Sequence, residues 1–179
     1  MINSIFEDKK SDYAYFLPLG GSGEIGMNLN LYGYKNKWLI VDCGVSFKDS
    51  KVIGADVFMP NIDAIIENKL NVCGMFITHA HEDHIGGVHH LWPYIKCPIY
   101  TTPFSGHLLK QRLIDYGLLD KVDLNIVNKE SKFDIGPFKL ELINISHSIL
   151  EANSVLITLG NKKVFHTGDW KIDNDPEIG

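Results

Sequence analysis

Short runs of alternating or continuous apolar residues predict strands along most of the chain, with helical spacing between some of them. The predicted strands are 15–19, 28–34, 37–42, 72–78, 98–102, 122–127, 138–143, 153–159 and 162–166. Lys35 and Asn36 separate the second and third of these and predict a hairpin turn. Helical spacing predicts helices over 60–69, with Asn61 as a cap, over 85–91 and over 103–116. Strands that alternate with helices predict an α/β fold.

The hexapeptide H-A-H-E-D-H at 79–84 follows the apolar run 72–78 directly. Two imidazoles two positions apart in extended chain, His79 and His81, point to the same side and can share one metal ion. Asp83 and His84 then project towards a second ion. Zinc binds imidazole nitrogen at ~2.0–2.1 Å and carboxylate oxygen at ~2.0–2.2 Å, which suits donors converging on a short loop. The pattern predicts a pair of metal ions; the alternative is a histidine-rich polar turn.

Two further ligand types lie where other predicted strands end. His147 follows the strand at 138–143, and Asp169 follows the strand at 162–166. Open α/β sheets assemble sites at the edge where their strands end, so we expect both side chains to join the hexapeptide. Asp42 ends the apolar strand at 37–42. It is the candidate to accept a hydrogen bond from a ligating imidazole and so fix its orientation.

Five motifs in this order resemble the metallo-β-lactamase superfamily. They are G-G-S-G-E-I-G-M-N (20–28), V-D-C-G (41–44), T-H-A-H-E-D-H-I-G-G (78–87), S-H-S-I (146–149) and H-T-G-D-W-K-I-D (166–173). Within this superfamily, the first and last motifs narrow the resemblance to the β-CASP nucleases. Among these nucleases, the sequence most resembles the ribonuclease J family of bacteria. The resemblance runs from about Phe16 to Pro176. It departs at 149–151, where the family usually has proline followed by an acidic residue.

The resemblance implies an α/β fold of the metallo-β-lactamase type, an αββα sandwich of which this chain is the first half. Residues 1–12 are polar and expected to be loose. Residues 13–179 are then the N-terminal part of a metallo-β-lactamase domain, without the inserted β-CASP domain and the C-terminal part. Superfamily members also need a further histidine for their second metal, and none follows His166 here.

Two zinc ions are the expected cofactors, with manganese or magnesium as alternatives. We assign His79, His81 and His147 to one ion and Asp83 and His84 to the other, with Asp169 as the bridge. A water activated between the ions would attack phosphorus, and Asp83 and Asp169 are the expected catalytic carboxylates. Ions in such pairs lie ~3.5–4 Å apart.

The resemblance therefore implies a metal-dependent ribonuclease that takes part in RNA processing and decay. RNA is the expected partner, and the full-length enzyme is expected to form a homo-oligomer. Hydrolysis of a thioester or another small molecule by the same metal pair is the alternative. A catalytically silent remnant is the third interpretation. The 179-residue chain is expected to need a missing C-terminal segment before it can act as a nuclease.

Composition bears on how RNA could bind and on the compartment, and it leaves the predicted metal site unchanged. The formal charge of −5 argues against nucleic-acid binding through bulk electrostatic attraction. It leaves room for RNA held by a local basic strip or by metals. Cys43, Cys73 and Cys97 have no C-x-x-C spacing and predict thiols in a reducing compartment. The chain starts without a secretory pattern and has no run of ~20 apolar residues, so the expected location is the cytoplasm, with no membrane contact.

The remaining polar motifs have alternatives that the sequence leaves open. The glycine-rich segment 20–26 lies between two predicted strands and favours a tight turn over a phosphate-binding nest. Glu82 is expected to point away from the metals, and His166 to line the pocket or pack. Trp170 and Lys171 either contact substrate or simply face outward at the end of a strand. Three histidines are expected to lie outside the site: His89, His90 and His107.

Overall fold

The computed structural model describes residues 12–47 and 56–175, in which two β-sheets face each other. The described strands are β1 (Ala14–Gly20), β2 (Leu29–Tyr34), β3 (Lys37–Val41), β4 (Val72–Ile77), β5 (Ile99–Thr101), β6 (Leu124–Ile126), β7 (Lys132–Ile135), β8 (Phe138–Asn144), β9 (Asn153–Leu159) and β10 (Lys162–His166). The described helices are α1 (Asp63–Glu67), α2 (Glu82–Ile85), α3 (Val88–Ile95) and α4 (Pro103–Asp115), with a 3-10 turn at Leu119–Lys121.

The first sheet has the order β1-β2-β3-β4-β5-β6, and the second has the order β10-β9-β8-β7. Strands β1 to β3 are antiparallel, whereas β3 to β6 run parallel and are joined by helical crossovers. The second sheet is antiparallel throughout. The hairpin between β2 and β3 turns at Lys35 and Asn36, whose φ angles of 49° and 58° are those of the tight turn that matches strand twist.

Two apolar layers hold the elements together. One lies between the sheets and is built from alternate residues of both, such as Phe76 of the first and Phe138 of the second. The other lies between the first sheet and the helices, where Ile65, Leu91 and Leu109 are buried. In the described residues the order of layers is therefore helices, sheet, sheet, which confirms the α/β sandwich and gives three of the four layers expected for it.

Two predicted helices were wrong in their bounds, and one strand was missed. The helix expected at 85–91 is divided into α2 and α3, because the backbone N–H of Gly87 donates to the carbonyl oxygen of Cys43 (2.9 Å) and not to a helical partner. The helix expected at 60–69 is only Asp63–Glu67, although the side chain of Asn61 does accept a hydrogen bond from the backbone N–H of Asp63 (2.8 Å). Strand β7 was not predicted.

Parts of the domain prediction lie outside the described residues, namely 1–11 and 176–179. Asp12, the last residue of the segment expected to be loose, accepts hydrogen bonds from the Tyr34 hydroxyl (2.7 Å) and from Lys162 (2.9 Å). The three cysteines are free thiols. No helix in the described parts of the chain is both long enough and apolar enough to cross a membrane.

Candidate metal centre

Strand ends from both sheets meet at one edge of the sandwich and carry the predicted ligands there. Asp42 follows β3 and the hexapeptide follows β4, in the first sheet. His147 follows β8 and Asp169 follows β10, in the second. The strands are fixed by the buried layers on their faces, so their ends present the side chains from a rigid frame.

One group of three imidazoles converges as predicted. The Nδ1 atom of His81 lies 3.2 Å from Nε2 of His79 and 3.0 Å from Nε2 of His147. Three nitrogens held by one zinc ion at ~2.0–2.1 Å in tetrahedral geometry would lie about 3.3 Å apart. The rings also stand edge to face, which turns one nitrogen of each towards the shared centre. This donor set fits a zinc ion.

A second group forms around His84. Its Nε2 atom lies 3.3 Å from Oδ2 of Asp169 and 3.6 Å from Oδ2 of Asp83. The same Asp169 oxygen is 3.9 Å from Nε2 of His147, so this carboxylate lies between the two groups. His79, His84 and Asp169 also offer three donor atoms within 4.8 Å of one another. Asp83 falls outside both of the tight groups of three and is the loosest of the predicted ligands.

Asp42 is buried completely and contacts the ring that faces the second group. The Nδ1–H of His84 donates to Oδ2 of Asp42 (2.8 Å), because a carboxylate can only accept. That bond leaves Nε2 of His84 turned towards Asp169 and Asp83. A ligating imidazole normally makes an outer hydrogen bond of this kind, so the contact is the one that the role predicted for Asp42 requires.

Thr78 connects Asp42 to His79, which belongs to the group of three imidazoles. Its backbone N–H donates to Oδ1 of Asp42 (2.8 Å), and its hydroxyl lies 2.9 and 3.0 Å from the two carboxylate oxygens. The same hydroxyl is 2.9 Å from Nδ1 of His79. With its one proton given to Asp42, the hydroxyl accepts from the His79 Nδ1–H. The Nε2 atom of His79 is then free to face His81.

Backbone packing places Asp42 so close to the metal loop. Asp42 has a φ angle of 65°, a conformation that aspartate tolerates better than most residues and that concentrates at functional sites. At Gly44, a Cβ atom would lie 1.7 Å from the carbonyl oxygen of Asp83, so only glycine fits. Asn28 closes the arrangement, since its backbone N–H and its side-chain amide both donate to that oxygen (2.9 and 3.0 Å).

The electrostatics of the cluster separate its imidazoles into two kinds. Burial lowers the pKa of His84, but the carboxylates of Asp42 and Asp169 raise it by more, to about 10. Burial and the charge on His84 lower the pKa of His79 to about 3. Burial and the neighbouring His81 also lower the pKa of His147. The hydrogen bond from His84 lowers the pKa of Asp169 to about 2. At neutral pH His79 and His147 therefore have lone pairs available for a metal.

The other residues singled out in the sequence take different places. Glu82 points away from the cluster and pairs with Arg112. His166 lines the cavity beside His84 and Asp169, and its Nδ1 lies 2.9 Å from the Tyr32 hydroxyl. His89 and His90 pack against Tyr116, and His107 is exposed on α4; none of the three joins the cluster.

The remaining residues near the site differ in exposure and in contacts. Trp170 is more than half exposed, whereas Lys171 forms an ion pair with Asp173 (2.7 Å). Cys43 is buried, and burial raises its pKa, which makes it an inert packing residue. The glycine-rich segment joins β1 to β2, and its Gly21 and Ser22 line the same cavity as His166.

Sequence reasoning missed Asn153, which ties two ligand-bearing segments together. It is buried completely, and its side-chain amide donates to the carbonyl oxygens of Thr78 (3.2 Å) and Glu151 (2.5 Å). Thr78 precedes His79, and Glu151 ends the loop that carries His147. Nothing in the local sequence distinguishes this asparagine, because Thr78 lies in a segment 75 residues away.

Replacing Asp42 with asparagine is expected to destabilise the metal-free protein in a pH-dependent way. The pKa of His84 in the fold, about 10, is above the ordinary value of 6.5 for histidine. Its stabilising contribution is therefore fully present below pH 6.5 and is lost as the pH rises through about 10. Removing one partner of a buried ion pair costs about 3–5 kcal/mol. We expect urea unfolding in a chelator to show about that loss at pH 6 and a much smaller one at pH 10.

Asp134→Asn is the matched control for Asp42→Asn, since Asp134 is an exposed carboxylate on β7. It should leave the free energy of unfolding unchanged at both pH values. An Asp42→Asn variant with the same loss at pH 6 and pH 10 would show that Asp42 stabilises the fold by packing and hydrogen bonding alone.

The fold and this cluster define a class: an α/β sandwich with a histidine–aspartate group that can bind metal at one edge. The sequence-family model of the metallo-beta-lactamase superfamily matches residues 28–174. The chain belongs to the metallo-beta-lactamase superfamily. In agreement, the metallo-beta-lactamase fold protein YhfI from Bacillus subtilis superposes with a TM-score of 0.57 at 19% identity, over 90% of this chain and 65% of that one.

Curated relatives agree with the narrower resemblance. Ribonuclease J from Sinorhizobium meliloti is 40% identical over 92% of this chain, and ribonuclease J from Thermus thermophilus is 33% identical over 94% of it. Both similarities cover only part of the relatives, because the chain spans 30% of the length of each. The expected similarity to ribonuclease J is thus confirmed for the part of those proteins that this chain matches.

Proposed function

We propose that this chain supplies the metal-binding part of a ribonuclease that hydrolyses RNA phosphodiester bonds with a pair of divalent cations. The observation that carries the proposal is the position of Asp169 between a group of three imidazoles and the group around His84. The similarity to proteins named ribonuclease J supports RNA as the substrate.

Six side chains would hold the two ions. His79, His81 and His147 would hold one, Asp83 and His84 the other, and Asp169 both. When bound, two such ions lower the pKa of a water towards neutrality and offset negative charge on a phosphoryl group. The chain's own residues keep the donors in order: Asp42 and Thr78 bind the far nitrogens of His84 and His79, so that each ring turns its Nε2 inward.

A polar cavity of about 310 Å³ opens beside the second group and is where we place substrate. Asn28, His166 and Asp169 line it, together with the partly exposed ring of Phe165 at its side. The volume is at the lower end of the range of small-molecule pockets, about 300–1,000 Å³. A single nucleotide rather than a larger group suits this space.

Unpaired thiols support the cytoplasm as the location. All three cysteines of the chain are free, and Cys43 and Cys97 are buried. Burial raises the pKa of Cys97 to about 12, so its thiolate is scarce at neutral pH. Thiols of this kind persist in reducing compartments, where disulfides are rare.

We also propose that the 179-residue chain is not a competent nuclease by itself. The second group has only Asp83, His84 and the shared Asp169, and both carboxylates are partly exposed. Large apolar side chains stand exposed close by, including Phe16, Phe165 and Trp170. Exposed apolar side chains of this kind favour association with another surface, which is consistent with a further segment beside the site.

The test is an assay of the chain on 5′-monophosphorylated RNA with zinc or manganese, beside a chromogenic thioester. The chain is assayed alone and mixed with the remaining part of the Sinorhizobium ribonuclease J. We expect little RNA cleavage from the chain alone and metal-dependent cleavage in the mixture. Robust cleavage by the chain alone would overturn the need for another segment. Thioester hydrolysis without RNA cleavage would instead support the small-molecule alternative.

A further inference from the structure

We infer that helix α4 is a brace that holds the two histidine-bearing loops against each other, through Glu82 at one end and Glu151 at the other. The inference rests on the proposed metal centre, because its consequence is the fit of that centre to an ion. His81 comes from the first sheet and His147 from the second, yet their ring nitrogens must stay about 3.0 Å apart. Some contact has to fix the spacing of the two loops.

The first contact is at the hexapeptide. Glu82 lies between His81 and Asp83, and its carboxylate pairs with the guanidinium of Arg112 in the last turn of α4. Nη1 of Arg112 donates to Oε2 of Glu82 (2.8 Å), and Nη2 donates to Oε1. Two parallel hydrogen bonds of this kind set orientation as well as distance.

The second contact is at the loop that carries His147. Glu151 ends this loop, and its Oε2 accepts the backbone N–H of Phe104 in the first turn of α4 (2.9 Å). Thr102, the residue before the helix, makes no capping bond, and its buried hydroxyl has no partner in the described structure. A carboxylate from the other sheet thus supplies the cap, where the helix dipole also favours negative charge.

The helix is long enough to join both loops. Phe104 and Arg112 are eight residues apart, which corresponds to about 12 Å along an α-helix. Buried Leu109 and Leu113 fix α4 against the first sheet. A rigid helix bound at both ends transmits a fixed spacing from one loop to the other.

The Glu82–Arg112 contact contributes little to global stability, which separates positioning from folding for this pair. Arg112 and Glu82 are both partly exposed, with 29% and 44% of their side-chain surfaces open to solvent. Ion pairs in such surroundings are screened by solvent and contribute little to stability. Arg112→Ala should leave the melting temperature nearly unchanged while it disturbs the geometry of the metal ligands, whereas Glu151→Ala also removes a helix cap and should lower it.

The test compares zinc affinity in Arg112→Ala, Glu151→Ala and Glu151→Gln, measured by competition with a chromogenic chelator. Loss of an outer partner of a metal ligand typically costs 10- to 100-fold in affinity, and we expect a loss of about tenfold for each alanine variant. Glu151→Gln keeps an acceptor for the Phe104 N–H and should recover most of the affinity. The visible spectrum of the cobalt-substituted protein should change in the alanine variants, because it reports ligand geometry.

Glu141→Ala is the matched control, since Glu141 pairs with Lys132 on the second sheet and does not contact α4. Parent-like zinc affinity and cobalt spectra in both alanine variants would overturn the inference. So would an equal loss of affinity in Glu141→Ala.

Hydrogen exchange of the metal-free protein separates this inference from the proposed function. If α4 is a brace, Glu151→Ala speeds exchange of the Phe104 amide and of residues 144–152 even without metal. Unchanged exchange would count against the brace. A parent protein that binds no zinc would contradict the proposed metal centre, and exchange would still decide whether α4 holds the loop.

Discussion

Replacing both His79 and His81 with alanine is expected to remove zinc from the first group of ligands. Their nitrogens, 3.2 Å apart, are two of its three donors, so His147 alone would remain. We expect zinc affinity to fall by more than about 100-fold, beyond the 10- to 100-fold that loss of an outer partner costs. Competition with a chromogenic chelator measures the affinity, and elemental analysis of the purified proteins measures the loss of bound metal. Metal should also leave the parent on acidification, as protons compete for the imidazoles.

The matched control is the double variant of His90 and His107, two exposed histidines outside the cluster. It should keep the parent's metal content. His81→Ala by itself serves as a second variant, because His81 is partly exposed and its removal disturbs packing less than removal of the buried His79. Equal metal content in the double variant of His79 and His81 and in the parent would show that the hexapeptide is a polar turn.

Asp169→Asn is expected to lose the second metal first and then activity. The substitution keeps the shape of the side chain but removes a charge that lies 3.3 Å from His84 and 3.9 Å from His147. A carboxylate shared by two cations offsets the charge of both, whereas an outer ligand serves only one. Turnover in the complemented enzyme should therefore fall at least as far as it does on removal of an outer ligand such as His147. Metal stoichiometry and RNA cleavage check this together.

Asp173→Asn is the control for Asp169→Asn, since Asp173 lies four residues further along and pairs with Lys171 instead of the cluster. It should retain both metals. An Asp169→Asn variant with two metals and normal turnover would show that Asp169 is only the end of a strand.

The local sequence predicts most of the site because its ligands follow strand ends. The hexapeptide holds four of the predicted ligands, and its position after β4 fixes their direction. His147 and Asp169 follow from the same rule applied to β8 and β10. The structure brings these side chains together, with Asp83 the least closely held. Their roles as ligands remain predictions until metal is measured.

What the sequence does not reveal depends on contacts between distant segments. Asn153 and Glu151 act through backbone groups of Thr78 and Phe104, 75 and 47 residues away. The missed strand β7 has only four residues, of which Lys132 and Asp134 are exposed, so its pattern is too short to distinguish from a loop. The division between α2 and α3 depends on the hydrogen bond from the Gly87 N–H to Cys43 in another segment, which apolar spacing does not show.

Anomalous diffraction at the zinc absorption edge, from crystals of the zinc-loaded protein, would show whether this edge of the sandwich binds a pair of ions. We expect one strong peak among His79, His81 and His147. We expect a second, weaker peak beside Asp83 and His84, about 3.5–4 Å from the first, with the Asp169 carboxylate between them. A map with no peak at this edge of the sandwich, or with zinc bound only elsewhere on the chain, would contradict the proposed metal centre.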